Sequence, residues 1–201
     1  MVGLQERVDE AKTVHRAFIE QKEENYRQRK AWRATHGIPV FAILGMGRSG
    51  KDTAAEYICA ATGLKYGGSS SNNLVKFVAH AAEGEESVVW AERHQNREFW
   101  ITVGHMVRGK DLSLLARMTL GDGDFAVGLR GRQELHGAVK DNTIDASIWI
   151  ANPRAAVDPT VEFAAEDCDF MISNHGSYLE FYRKLDKLIE LTGLFCTSTQ
   201  K

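Results

Sequence analysis

The stretch Gly45-Met46-Gly47-Arg48-Ser49-Gly50-Lys51 carries the most specific chemistry in the chain. Its spacing, G-x-x-x-x-G-K, is that of a loop that cradles phosphate. Glycines let the backbone curl until successive N–H groups point into one concavity, and a helix N-terminus behind them adds a favourable dipole. Lys51 then supplies a point charge for the β- and γ-phosphates of a nucleotide. The expected phosphate-holding set is Gly45, Gly47, Arg48, Ser49, Gly50, Lys51, Asp52 and Thr53. The hydroxyl that usually follows the lysine is displaced by one, because Asp52 precedes Thr53. Thr53 therefore meets a Mg²⁺ ion directly, through water, or not at all.

Such a loop needs a strand before it and a helix after it. Val40–Leu44 is a continuous apolar run of strand length, the pattern of a strand buried on both faces. Asp52–Ile58 reads as the helix. Further strands are expected at Leu64–Tyr66, Phe125–Leu129, Ala146–Ala151 and Asp169–Ser173, with helices over 74–82, 88–107, Leu112–Leu120 (capped by Asp111), Leu135–Lys140 and Ser177–Thr192. A short helical piece is expected from Asp158. Strands alternating with helices predict an α/β fold with a parallel sheet of five strands. In such sheets ligands gather at the carboxyl ends of the strands. Those ends carry Lys51, the polar turn Gly67–Asn73, Arg130 with Arg132, Arg154, and Asn174. The turn is a linker or a receiver of a second substrate through Ser69 and Ser70; Arg93 and Arg97 lie on the helix that follows.

Residues 4–35 hold no Pro or Gly after Gly3 and read as one long helix or two in succession. Leu4, Val8, Ala11, Val14, His15, Phe18 and Ile19 form one apolar stripe. Beyond Ile19 the stripe fades into charge. The segment reads as a helix docked on the core with a solvated, charged second half, or as an arm for a homodimer or another partner. The domain division follows: residues 1–37 as a helical arm and 38–201 as the catalytic body.

The bulk properties bound the rest. A chain of 201 residues, 43% hydrophobic and 26% charged, can bury one proper core. A net charge of −2 gives no basic footprint for nucleic acid. Cys59, Cys168 and Cys196 are too few and too uneven for a disulfide framework or a zinc site, which fits a reducing compartment. No apolar run reaches membrane-spanning length and the N-terminus is charged rather than signal-like, so a soluble cytoplasmic protein is expected.

The layout resembles the bacteriophage deoxynucleoside monophosphate kinase family, within the wider group of P-loop nucleoside monophosphate kinases. The likeness rests on G-x-x-R-S-G-K-D-T at Gly45–Thr53, on a strand ending in R-x-x-x-E at Arg130–Glu134, and on a tail. In the tail, Asp158-Pro159-Thr160-Val161-Glu162 is followed by Cys168–Ser177, which has the form strand, I-x-N-x-G-[ST], helix. It spans about residues 38–192. It implies a P-loop three-layer sandwich, ATP and Mg²⁺ as cofactors, a (deoxy)nucleoside monophosphate as substrate and, if the chain is phage-encoded, the host cytoplasm. It also implies that Arg130 and its neighbours contact transferred or acceptor phosphates, that Glu134 lies on the substrate side, and that Asn174 sits near the donor base. Two positions depart from the family pattern. Gly128 stands where an Asp is usual, and His175 stands where an acid is usual. Asp124 or Glu134 is left to replace the first.

The expected function is ATP-dependent phosphorylation of a (deoxy)nucleoside 5′-monophosphate, with Lys51, Arg130, Arg132 and Arg154 as the catalytic cations. Phosphoryl transfer asks for positioning and cations rather than a base, since a phosphate nucleophile is already anionic. The alternatives are a P-loop kinase of another small phosphorylated or hydroxyl acceptor, and a regulator that binds nucleotide without turnover. A nucleic-acid ATPase is disfavoured by size, charge and the lack of a second motor motif.

Overall fold

The computed structural model describes residues 3–194; Cys196 lies outside them. The chain begins with two helices, α1 (Leu4–Val14) and α2 (Arg16–His36), which meet at His15 and end at Gly37 in the left-handed region. Then come β1 (Phe41–Leu44), α3 (Lys51–Thr62), α4 (Ser70–Ala82), α5 (Glu86–Ala91), α6 (Arg97–Arg108) and α7 (Leu114–Asp122). The remainder is β2 (Phe125–Val127), α8 (Arg132–Lys140), β3 (Ala146–Ala151), a 3-10 turn at Ala165–Asp167, β4 (Phe170–Ser173) and α9 (Tyr178–Thr192).

The sheet is parallel throughout, in the order β2-β1-β3-β4. Alternation along the strands splits the core in two. Phe41, Ile43, Phe125, Val127, Ile148 and Ile150 pack on one face with Ile58 of α3 and Phe181, Leu185 and Leu188 of α9. Val40, Ala42, Leu44, Ala126 and Trp149 face the other way, onto Tyr26 of α2, Leu120 of α7 and Leu135 of α8. Helices therefore cover both faces, as an all-parallel sheet requires. A third cluster joins Val8 and Ala11 of α1 to Phe77 of α4, Val103 and Val107 of α6, and Met118 of α7.

Several expectations are corrected. The sheet has four strands among the described residues, not five, because Leu64–Tyr66 is not a strand. Lys65 still runs beside the start of β2. Its carbonyl accepts from Asp124 N–H at 2.8 Å and its own N–H reaches Asp124 Oδ2 at 2.8 Å, so the carboxylate takes over from a ladder bond. The helix expected over 88–107 is two, parted at 92–96, and the helix expected from residue 74 starts at Ser70. α7 starts at Leu114, two residues later than expected, with Ser113 in the cap position; the Asp111 carboxylate accepts from the Ser113 and Leu114 N–H groups and also binds Arg117 at 2.6 Å. Asp158–Thr160 forms a turn and no helix. Ser177 does cap α9, accepting from Glu180 N–H at 3.3 Å.

The second half of the N-terminal segment is solvated on one side only; its other side is docked on the body through Tyr26 and Arg33. α2 lies on α7 so closely that a Cβ on Gly121 would stand 2.5 Å from the Lys22 carbonyl. Lys22 pairs with Asp122, and Arg117 Nε donates to Glu23 at 3.0 Å. Arg33 is 1% exposed and reaches Asp124 Oδ1 at 3.2 Å, while Arg29 holds Oδ2 at 2.5 Å. Among the described residues no helix is long and apolar enough to cross a membrane.

Candidate functional site

The loop after β1 takes its shape from two glycines that no other residue could replace without strain. Gly45 has φ +143° and a Cβ there would stand 2.6 Å from the Ile150 carbonyl; Gly50 has φ +100° and a Cβ would stand 2.4 Å from Asn174 Nδ2. Arg48, with φ +62°, is in the left-handed region too, at a cost of roughly 1 kcal/mol or more for a residue with a Cβ. Within this curl Ser49 N–H bonds to the Met46 carbonyl at 3.2 Å. The N–H groups of Gly47, Arg48, Gly50, Lys51, Asp52 and Thr53 meet no protein acceptor among the described residues. The last three are the open N-terminal amides of α3, where the helix dipole favours an anion.

Lys51 is 8% exposed and donates from Nζ to the Met46 carbonyl at 2.7 Å, so its charge closes back over the loop. Burial, opposed by Asp52 and helped by Arg130 and Arg97, lowers its pKa to about 8. Below the loop, Asn174 Nδ2 donates to the Ser49 carbonyl at 2.8 Å, and Ser49 Oγ is buried without a partner.

A cavity of about 430 Å³ opens over this loop. It brings together Gly47, Arg48, Lys51 and Asp52 with Ser69, Ser70, Arg93, Arg97, Arg130 and Glu134 from three other stretches of the chain. Ser70 Oγ donates to the Gly128 carbonyl at 2.9 Å. Gly128 has φ +85°, and a Cβ there would lie 3.4 Å from that of Ser69, so the backbone turns tightly against α4 where a carboxylate was expected. Glu134 lines the cavity, 4% exposed, with Oε2 accepting from Arg108 Nη1 at 3.3 Å and Arg130 N–H at 3.2 Å. Its Oε1 is buried without a partner, and burial pushes its pKa up against the pull of Arg108. Asp124 is elsewhere, consumed by Arg29 and Arg33. Of the two candidates for the missing acid, only Glu134 reaches the cavity.

Other expected residues do not line it. Gly45, Ser49, Gly50 and Asn174 build the loop from beneath, and Thr53, the third residue of α3, lies off the wall. Arg132 is half exposed and paired with Asp167 at 2.6 Å. Arg154 lies exposed on the segment after β3. Neither arginine converges with Lys51.

Residues not singled out complete the walls. Trp90 and Trp100 meet edge to face at 6.1 Å, and Arg93 covers the Trp90 ring at 4.3 Å. Tyr66 donates its hydroxyl to Asp52. Asp158 does not line this cavity but stands behind its wall, binding both Arg97 and Arg130, the latter at 2.6 Å. A sequence signal existed for the tryptophans, which sit beside Arg93 and Arg97; none pointed Asp158 back to residue 97. No protein-family model, curated protein or solved structure matches this chain.

Proposed function

We propose that this chain is an ATP-dependent phosphotransferase of the P-loop type, acting on a (deoxy)nucleoside 5′-monophosphate. The observation that carries the reading is the loop itself. A run of unmet amides and Lys51 sits on the wall of a cavity whose other walls hold Arg93, Arg97, Arg108 and Arg130. Unmet N–H groups at a helix N-terminus fit phosphate oxygens. Arginines on a facing wall fit a second phosphate, which they can hold with paired N–H donors. The aromatic wall of Trp90 and Trp100 suits a base.

The residues fit the polyphosphate of ATP, which would be held by the unmet amides of Gly47, Arg48, Gly50, Lys51 and Asp52 and by the Lys51 side chain and would supply the phosphoryl group. No group of three or more His, Cys, Asp or Glu fit to hold a metal is present among the described residues. Mg²⁺ is commonly bound through substrate phosphates and water with one or two carboxylates, and Asp52 is the carboxylate nearest the loop. The chain's own part is positioning. Lys51 would leave the Met46 carbonyl for phosphate oxygens, and Arg97 and Arg130 would balance charge shared between donor and acceptor.

The test is a coupled assay of ADP formation with ATP and a panel of ribo- and deoxynucleoside monophosphates. Lys51→Ala is expected to lower turnover at least about a hundredfold, with the melting curve retained. Near-normal turnover in that variant would remove the phosphate-loop assignment. Gly128 favours a second reading, a nucleotide binder without turnover, because the carboxylate usual there is absent. ATP binding with no product from any acceptor selects it.

A further inference from the structure

Asp158 stands where two cavity arginines meet. Its Oδ2 alone accepts from Nη1 of Arg97 and, at 2.6 Å, from Nη1 of Arg130. Its Oδ1 turns away, to Thr160 Oγ1 at 2.5 Å and Thr160 N–H at 3.2 Å. One anionic oxygen between two guanidinium groups is also how paired arginines take a phosphoryl oxygen. The junction lies against the phosphate loop, for a Cβ on Gly47 would stand 3.1 Å from Arg97 Nη1. Lys51 senses all three groups: Arg130 and Arg97 weaken its hold on its proton and Asp158 strengthens it. Burial alone would raise the pKa of Asp158, but the Thr160 hydroxyl and the two guanidinium groups outweigh it and hold the carboxyl well below the usual range.

The segment carrying Asp158 has few other ties. Pro153, Arg154, Ala156 and Val157 are exposed, and its bonds at Arg154 and Ala155 return to its own Asn152. Thr160 Oγ1 accepts from Arg130 Nη1 at 2.9 Å, and Glu162 N–H donates to the Arg130 carbonyl at 3.0 Å, so those ties run to Arg130 and not to α6. Asp158 is thus what fastens residues 152–160 to the start of α6.

We propose that Asp158 is a built-in counter-anion: it occupies a two-arginine oxyanion site that a phosphoryl group of the substrate takes over on binding, freeing residues 152–160 from α6. This rests on the phosphate-binding reading of the loop. The exchange conserves charge at the site, since one anionic oxygen leaves the arginines as another arrives. It makes unliganded protein the closed form at this point and ties ligand entry to movement of one segment.

The experiment titrates inorganic tripolyphosphate into the wild-type chain, Asp158→Asn and Lys51→Ala by calorimetry. Asp158→Asn keeps the shape, removes a like charge from beside the incoming anion and releases two guanidinium groups. Both effects act in one direction, so affinity should rise at least about tenfold. Unchanged or weaker binding overturns the proposal and would make Asp158 a residue that holds the arginines in place for the ligand. Hydrogen exchange on the wild-type chain is the second arm, independent of how the variant folds. Amides 155–160 should exchange faster at saturating tripolyphosphate, and equal or slower exchange overturns the proposal. The parent reading fails separately, if Lys51→Ala binds tripolyphosphate as tightly as wild type. Binding by neither wild type nor Asp158→Asn overturns both.

Discussion

At the scale of single residues, Lys51 links the loop's geometry to pH. Burial lowers its pKa to about 8, so the unliganded folded state holds this proton less tightly than the unfolded chain. Between pH 8 and the ordinary lysine value near 10.4, the unfolded state binds more protons and stability rises with pH; below pH 8 the folded state bears the full penalty. An anion in the loop reverses the shift by favouring the charged form. Tripolyphosphate binding near pH 8 should therefore take up a proton, and affinity should fall as pH rises from 7 to 9. Calorimetry in two buffers of different ionisation enthalpy measures the uptake, and a pH-independent affinity would rule it out. The loop residues were legible because glycine, lysine and their spacing are local requirements. Asp158, Tyr66 and Arg108 were not, because their partners lie 61, 14 and 26 positions away and no local pattern ties them together.

At the scale of elements, the strand expected at Leu64–Tyr66 shows what sequence patterning misses. Three residues of plausible composition sit in the right place, yet Gly67 and Gly123 bring the backbones together tightly. A Cβ on Gly123 would stand 2.5 Å from Gly67 N, so the chain turns into a close crossing rather than a ladder. Asp124 organises the crossing and also receives α2, which makes the two sides of that ion pair unequal. Asp124→Asn leaves Arg33 and Arg29 without a counter-charge in a buried place, and it should cost about 3 kcal/mol or more. Arg33→Met leaves Asp124 with Arg29 and the Lys65 N–H, and it removes two buried Arg33 nitrogens that have no partner, Nε and Nη2. It should cost within about 1 kcal/mol of nothing. Urea unfolding of both variants decides this, and equal losses would refute the asymmetry.

At the scale of the molecule, the charged half of α2 is where composition misled. The charge after Ile19 reads as solvent-facing, but Glu23 pairs with Arg117, and Arg29 and Arg33 share Asp124. The docked side of a charged helix cannot be read from hydropathy when its partners are charges far along the chain. The parallel α/β plan was readable, since apolar runs and turns alternate along the chain. Deleting residues 1–15 removes Val8 and Ala11 from one cluster and should give a folded chain with a lower melting temperature. Deleting residues 1–36 also uncovers α7 and strips Asp124 of both arginines, and this chain should show no cooperative thermal transition. A sharp melt in the longer deletion would restore the view of α2 as a dispensable arm.

The pairing of Arg33 with Asp124 spans 91 positions, and this sets an order of events during synthesis. The first helices leave the ribosome before the strand edge and helix they belong to exist. At 5–20 residues per second, Arg33 waits roughly 5–20 s for its carboxylate. During that interval α2 has no core to join, and its charged sequence favours solvation over aggregation. The same charges that conceal its destination from a hydropathy reading let the nascent chain tolerate the delay.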